Sequence, residues 1–315
     1  MKLIDGHMHT RHPAGDWFVR CADARGYEAY AILSLSCMNS FFNAQNNDNC
    51  LAVKRADPKR CYFFAGLVHP CEDYRAHVVN WLDKGADGIK FIETKPTVFK
   101  EKGVDLSDEK FDAMFAELEK RGTPILWHVG DPATFWDDEK APAFAKENGW
   151  FYGNGGYASL SELYAVPEKI LARHPKLHIC LCHLYFCGDN PAHIERLLDT
   201  YENVRLDITP GTEMYEFFAA DPTFWRNFFI RYQDRIQLGT DTDFGDAFEG
   251  DNALGLATAA LGGKGMNNLG VSGPSLNMPF EELLNSLNLP QEVIEKVVYH
   301  NFRAFAGSAP KPLVL

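Results

Sequence analysis

The feature that most constrains this chain is a recurrence of short, nearly continuous apolar runs separated by segments with helical periodicity. Leu3–His9, Ala29–Ser36, Cys61–His69, Asp87–Glu93, Thr123–Val129, Leu177–His183, Val204–Thr209 and Arg235–Thr240 read as eight strands. Runs that are apolar on both faces suit a parallel sheet covered on both sides, not an antiparallel sheet with one wet face. Between strands, Phe111, Met114, Phe115 and Leu118 follow the i, i+3, i+4, i+7 stripe of a helix packed on a sheet. Ser107 or Asp108 is the candidate N-cap of that helix, and Gly122, just before Pro124, its stop. Val293, Ile294, Val297, Val298, Phe302 and Phe305 mark one face of a C-terminal helix. Repeated strand–helix units predict an α/β fold, and eight of them a closed (β/α)₈ TIM barrel. An open doubly wound sheet would carry a Gly-rich phosphate fingerprint after an early strand, and none is present.

The chain has 315 residues, against about 250 for a typical barrel of this kind, which leaves room for insertions. No composition break or low-complexity linker divides it, so residues 1–315 read as a single barrel domain. Two connections are long: about 131–165, rich in Gly and aromatics (Trp136, Trp150, Tyr152, Tyr157), and about 244–279, with Gly262-Gly263 and Asn267-Asn268. Long connections at the C-terminal face of a barrel build the pocket or its lid, or serve as contacts between copies.

A net charge of −12 argues against a general nucleic-acid or anionic-membrane binder. It leaves open a small anionic substrate drawn to a local positive centre. The sequence has no apolar run of the ~18 residues a membrane span needs, and its start enters a strand without a signal-peptide pattern. The eight cysteines lack CxxC spacing and are too dilute for a disulfide scaffold, which fits a reducing cytoplasm. Cys180 and Cys182 stand two apart on one strand, but their parity is opposite to that of His183, which argues against thiolate ligands beside it.

Polar residues gather where these strands end, the face on which barrel active sites lie. The first strand ends in His7 and His9, whose period-2 spacing puts both imidazoles on one face. The fifth ends in His128, the sixth in His183 and the eighth in Asp241. Each has a mundane explanation singly, a satisfied core histidine or a helix-capping Asp. Together they are what a catalytic zinc or similar divalent ion needs, with one position left for water. Lys90, inside the apolar fourth strand, could pair with a carboxylate, bind a substrate oxyanion, or be carboxylated by CO₂ into a ligand bridging two ions. His69 at the third strand end reads as a capping residue before a pocket-lining one. Arg11 and His12, past the first strand, are weak candidates for a substrate carboxylate.

The chain resembles the amidohydrolase superfamily, in the branch that includes aminocarboxymuconate-semialdehyde decarboxylase. Ile4-Asp5-Gly6-His7-Met8-His9 matches IDxHxH, Gly88-Ile89-Lys90 a GIK element, and Pro124-Ile125-Leu126-Trp127-His128 a PxxxH element. His174-Pro175-Lys176-Leu177 precedes the strand ending at His183, Leu238-Gly239-Thr240-Asp241 matches the last-strand GTD, and Asn301-Phe302-Arg303 resembles the family's terminal helix. The likeness covers nearly the whole chain. Two departures touch the pocket wall: Leu184-Tyr185-Phe186 replaces the Gly-Gly that often follows the sixth-strand His, and Thr242-Asp243-Phe244 replaces a Tyr-Pro.

The resemblance implies that His7, His9, His128 and Asp241 hold one divalent ion, zinc foremost. Asp241 would double as the base, and His183 would stabilise an oxyanion or shuttle a proton. A carboxylated Lys90 would bring a second ion onto His128 and His183. Three readings follow for such a site. One is hydrolysis of a C–N or C–O bond of a small molecule by a metal-activated water. The alternative is a metal-dependent decarboxylase or hydratase acting on a small unsaturated or aromatic carboxylic acid. The third is a non-catalytic barrel that binds a metal or ligand. The expected partner is a small molecule, with carboxylates a leading class; self-assembly is left open.

Overall fold

The computed structural model describes residues 2–38, 44–209, 214–244, 284 and 286–314. The strands are β1 (Leu3–Thr10), β2 (Tyr27–Leu33), β3 (Cys61–Gly66), β4 (Gly88–Thr94), β5 (Pro124–Val129), β6 (His178–Leu181), β7 (Val204–Asp207), β8 (Ile236–Gln237) and β9 (Thr242–Phe244). They form one sheet in the order β8-β7-β6-β5-β4-β3-β2-β1-β9, and every neighbouring pair is parallel. Helices lie between successive strands from β1 to β8, so the architecture is the expected barrel.

The eighth stave differs from its expected form. Arg235–Thr240 is not one strand: Ile236 and Gln237 pair with β7, and the next pairing residues, Thr242–Phe244, join β1 instead. Pairing with β7 ends at Gln237, and at Asp241 the backbone takes a left-handed φ of 56°, which cannot continue a strand. The seam is closed by the Gly6 amide donating to the Leu238 carbonyl at 3.0 Å and the Asp241 amide donating to the His7 carbonyl at 2.9 Å. Asp5, fully buried, braces it by accepting from the Thr240 hydroxyl (2.6 Å), the Thr240 amide (3.1 Å), the His7 amide (3.1 Å) and the Tyr27 hydroxyl (3.3 Å). Burial still pushes its carboxyl up to about 6.

The barrel interior is filled by Ile4, Ala29, Ala31, Leu33, Tyr62, Phe64, Leu126, Cys180 and Cys182, with Phe302 and Phe305 of the C-terminal segment plugging it. Glycine is required at position 6, where a Cβ would stand 2.7 Å from the Leu238 carbonyl and 2.8 Å from the Phe302 ring. The C-terminal stripe belongs to two α-helical pieces, Gln291–Glu295 and Asn301–Ala306, joined by a π turn at Lys296–His300. That turn absorbs the five-residue step from Val297, in the outer core, to Phe302, in the interior plug.

The helix expected from the Phe111 stripe spans Asp112–Arg121 and ends on Gly122 at φ 60°. Neither Ser107 nor Asp108 caps it; a 3₁₀ turn at Glu109–Phe111 comes first, with no side-chain cap bond from Asp108. The first long connection is shorter than expected, because the next helix starts at Leu160 behind a capping box of Ser159 and Glu162. Of the second, residues 245–279 lie outside the described residues. All eight cysteines are free, and seven are buried. Among the described residues, no helix is long and apolar enough to cross a membrane.

Candidate metal centre

β1 delivers two imidazoles whose inner nitrogens are already committed. His7 Nδ1 donates to Asp207 Oδ2 at 2.9 Å, and His9 Nδ1 donates to the Leu33 carbonyl at 2.8 Å. Both partners are acceptors, so the protons sit on Nδ1 and both Nε2 atoms are left as lone pairs. These lone pairs face each other at 3.1 Å. Burial, then Lys90, pulls His7 down to about 4, so the ring is neutral at ordinary pH and supplies no second proton to relieve the contact.

Asp241 completes the group, with Oδ1 at 3.2 Å from His9 Nε2 and 3.6 Å from His7 Nε2. Its left-handed backbone turns the side chain to that place. Three acceptor atoms converging on one point repel one another, and a cation between them relieves that repulsion. Bonds of about 2.0–2.1 Å to a tetrahedral ion separate its donors by about 3.3 Å, and the observed separations bracket that figure. Carboxylate or carbonyl partners behind ligating imidazoles are the usual outer support of such sites. The residues present therefore fit a divalent ion.

Asp207 was not singled out in the sequence, although it too ends a strand. Besides His7 it accepts from the amides of His183 (2.7 Å) and Thr209 (3.2 Å) through Oδ1. Gly239 makes the closeness possible, since a Cβ there would collide with Thr209 Oγ1 and His7 Cβ.

Strand parity no longer separates Cys182 from His183, because both lie past the end of β6. β6 stops at Leu181, and His183, Leu184, Tyr185 and Phe186 all have left-handed φ, from 47° to 62°. This turn brings His183 to the site, 5.2 Å from the His7 ring, while Cys182 also reaches it from inside the barrel. Cys182 Sγ accepts from Lys90 Nζ at 3.3 Å, and the same Nζ stands 3.4 Å from His7 Nε2. Cys182 lies close enough to His7 and Asp207 to form a second ligand group. The Lys90 amine occupies its approach, however, and burial pushes the thiol well above its ordinary range.

Left-handed φ costs a non-glycine residue about 1–2 kcal/mol. Leu184 and Tyr185, standing where the resemblance leads one to expect Gly-Gly, offset this by full burial, with the Tyr185 hydroxyl donating to the Tyr164 carbonyl. The turn lays half-buried Phe186 on His183, with ring centroids 4.8 Å apart and planes 22° apart. The second departure, Thr242-Asp243-Phe244, forms β9.

His128 stands apart from the group of three. Its ring is 4.9 Å from that of His183, and its Nε2 donates to Asp131 Oδ1 at 3.2 Å. Burial, with smaller contributions from neighbouring charges, brings His128 below its ordinary value and takes His183, for which His128 is the next cause, down to about 3. Lys90 is 1% exposed, and among the described residues it meets no carboxylate. His69 is held by Glu93 at 2.9 Å and the Tyr74 hydroxyl at 2.9 Å, so both ring nitrogens are engaged by side chains and neither caps a helix. Arg11 and His12 lie just past β1, their carbonyls accepting from the Asn49 amide group and the Ala14 backbone amide.

Comparison with known proteins bears on this geometry. A family model described as amidohydrolase matches residues 4–305. No curated protein matches the chain by sequence. Similar solved structures include a putative 2-pyrone-4,6-dicarboxylic acid hydrolase from Pseudomonas putida, at 12% identity and TM-score 0.59, covering 97% of each chain. An uncharacterized TIM-barrel protein from Bordetella bronchiseptica shares 16% identity at TM-score 0.56, over 97% of this chain and 99% of that one. A 2,6-dihydroxybenzoate decarboxylase from Rhizobium shares 13% at TM-score 0.52, over 97% and 98%. At such identities the likeness is one of fold.

Proposed function

The chain belongs to the amidohydrolase family, and from that premise we propose that it activates water on a divalent ion, zinc foremost, to hydrolyse a C–N or C–O bond of a small molecule. His7, His9 and Asp241 would hold the ion, with His128 as the fourth donor of the expected set. A divalent ion in this place supplies Lewis acidity, bringing the pKa of water from about 15.7 towards ~7 and polarising a carbonyl oxygen. The observation that carries the reading is the convergence of two imidazole Nε2 atoms and one carboxylate oxygen within 3.1–3.6 Å.

The remaining steps belong to the chain's own groups. Asp241, ionised and 24% exposed at its side chain, takes the proton of the attacking water and returns it to the leaving group. His183 donates through Nδ1 to the Thr209 carbonyl at 3.3 Å, which leaves its Nε2 as an acceptor. Of its two expected roles this favours proton shuttling over oxyanion stabilisation. Lys90 Nζ is then the donor available to a developing oxyanion. As an ammonium it would oppose an ion on His7, so carboxylation by CO₂, admitting a second ion with His128 and His183, is the competing role; density at Nζ decides between them.

The second reading is decarboxylation or hydration of a small unsaturated or aromatic carboxylic acid. The flat wall formed by Phe186 over His183 favours it, as does the likeness to solved structures named for decarboxylases of aromatic acids. Incubating the metal-loaded protein with lactones, amides and aromatic acids separates the two. Acid release in a pH-stat is expected for lactone hydrolysis and amine release for amide hydrolysis, and evolved CO₂ would establish the lyase. Asp241→Asn should lower turnover about 10²–10⁴-fold; undiminished turnover would remove Asp241 as the base.

A further inference from the structure

Asp131 is 3% exposed and receives four hydrogen bonds. Lys95 Nζ donates to both oxygens at 2.7 and 2.6 Å, the Tyr152 hydroxyl to Oδ2 at 2.5 Å, and His128 Nε2 to Oδ1 at 3.2 Å. Of these partners the sequence singles out His128 for the site and Tyr152 only as one aromatic of the long connection; Lys95 it does not single out. The backbone makes the meeting possible. After β5 the chain bends at Gly130, φ 73°, with the Gly130 amide on the Thr94 carbonyl, and returns Asp131 towards the histidine three residues before it.

The other two donors anchor the aromatic connection. Tyr152 is 2% exposed and packs with Phe135, Phe144 and Ala145, against Trp136, Trp150 and Tyr157. Lys95 lies 4.9 Å over the Trp150 ring. A carboxylate tied this firmly accepts from His128 and cannot donate to it, so the imidazole is constrained to carry its proton on Nε2. Its Nδ1, which has no hydrogen-bond partner among the described residues, is the nitrogen left for the site.

We propose that Asp131, steadied by Lys95 and Tyr152, is a positioning residue that fixes His128 as its Nε2–H tautomer and fastens the aromatic connection to that imidazole. The proposal rests on His128 belonging to the site. It is read, however, from a tautomer in chelator-treated protein without substrate, so its failure leaves the His7–His9–Asp241 group standing.

The experiment is long-range ¹H–¹⁵N NMR of the full chain labelled at histidine, with His128 assigned from His128→Gln and thermal melting run on every variant. Wild type is expected to show the Nε2–H form. Asp131→Asn offers one acceptor oxygen to three donor groups, and it is expected to move the tautomer ratio towards Nδ1–H by about tenfold or more. Tyr152→Phe keeps the ring and its packing, and should shift the ratio in the same direction by less, because Lys95 still holds the carboxylate. A role limited to stability would lower the melting temperature and leave the ratio unchanged. An Nδ1–H form in wild type, or a folded Asp131→Asn or Tyr152→Phe with the wild-type ratio, overturns the proposal.

Discussion

Replacing Asp207 with Asn tests whether the imidazoles of β1 are held ready for an ion. The substitution is nearly isosteric, and its outcome follows from hydrogen-bond polarity. Oδ1 of Asp207 receives two backbone amides, from His183 at 2.7 Å and Thr209 at 3.2 Å. An asparagine must keep its carbonyl oxygen there, so its NH₂ replaces Oδ2 opposite His7 Nδ1, now 2.9 Å away. Two donors would then face each other, and His7 escapes by moving its proton to Nε2, the atom that faces His9 and Asp241. The hydrogen bond lost is charge-assisted, worth about 1.5–3 kcal/mol. At 1.4 kcal/mol per decade this is about 10–100-fold in ion affinity, the same range found for outer partners of ligating histidines. Titrating chelator-treated protein with Zn²⁺ against a competing indicator measures it, with melting curves for both proteins run alongside. An Asp207→Asn variant that is folded and binds Zn²⁺ within twofold of wild type would refute the tautomer argument.

Other predictions concern the frame. Lys54 and Asp87 form a fully buried ion pair at 2.6 Å, and Asp87 also accepts from the amides of Phe63 and Lys311. Lys54→Met strands that carboxylate and should cost about 3–5 kcal/mol in urea unfolding, with Lys54→Met/Asp87→Asn recovering part of the loss; an unchanged midpoint would contradict this. Glu117 is held down to about 2 by Arg121 first and Arg75 second. Because its folded value is depressed, its stabilisation is present above the unfolded carboxyl pKa of about 4.3 and disappears as pH falls towards 2. Glu117→Gln should therefore melt lower than wild type at neutral pH and converge with it in acid, whereas a gap that persists near pH 2 would mean the effect is not ionic.

The barrel was legible because its parallel strands are buried on both faces, and each expected strand starts within two residues of an observed one. Strand ends were less legible, and the site lies at strand ends. The period-2 rule placed His7 and His9 together because β1 continues through both, but it failed for Cys182 and His183, where the chain had already left the strand for a left-handed turn. Nothing local announces that turn: Leu184 and Tyr185 disfavour it intrinsically, and only their burial in the assembled fold stabilises it. Asp241 breaks the eighth strand for a similar reason. Asp207 and Asp131 escaped notice because a single acid after a strand is common, and only three-dimensional proximity shows which histidine each one holds. The capping box at Ser159–Glu162, by contrast, was readable and would have shortened the connection expected to reach residue 165.

The central claim, an ion held between His7, His9 and Asp241, is tested most directly by elemental analysis of the purified protein beside the His7→Ala/His9→Ala variant, both shown to be folded by their melting curves. The account predicts about one equivalent of divalent metal per chain in wild type, and loss of nearly all of it in the variant. Equal metal content in the two proteins would contradict it.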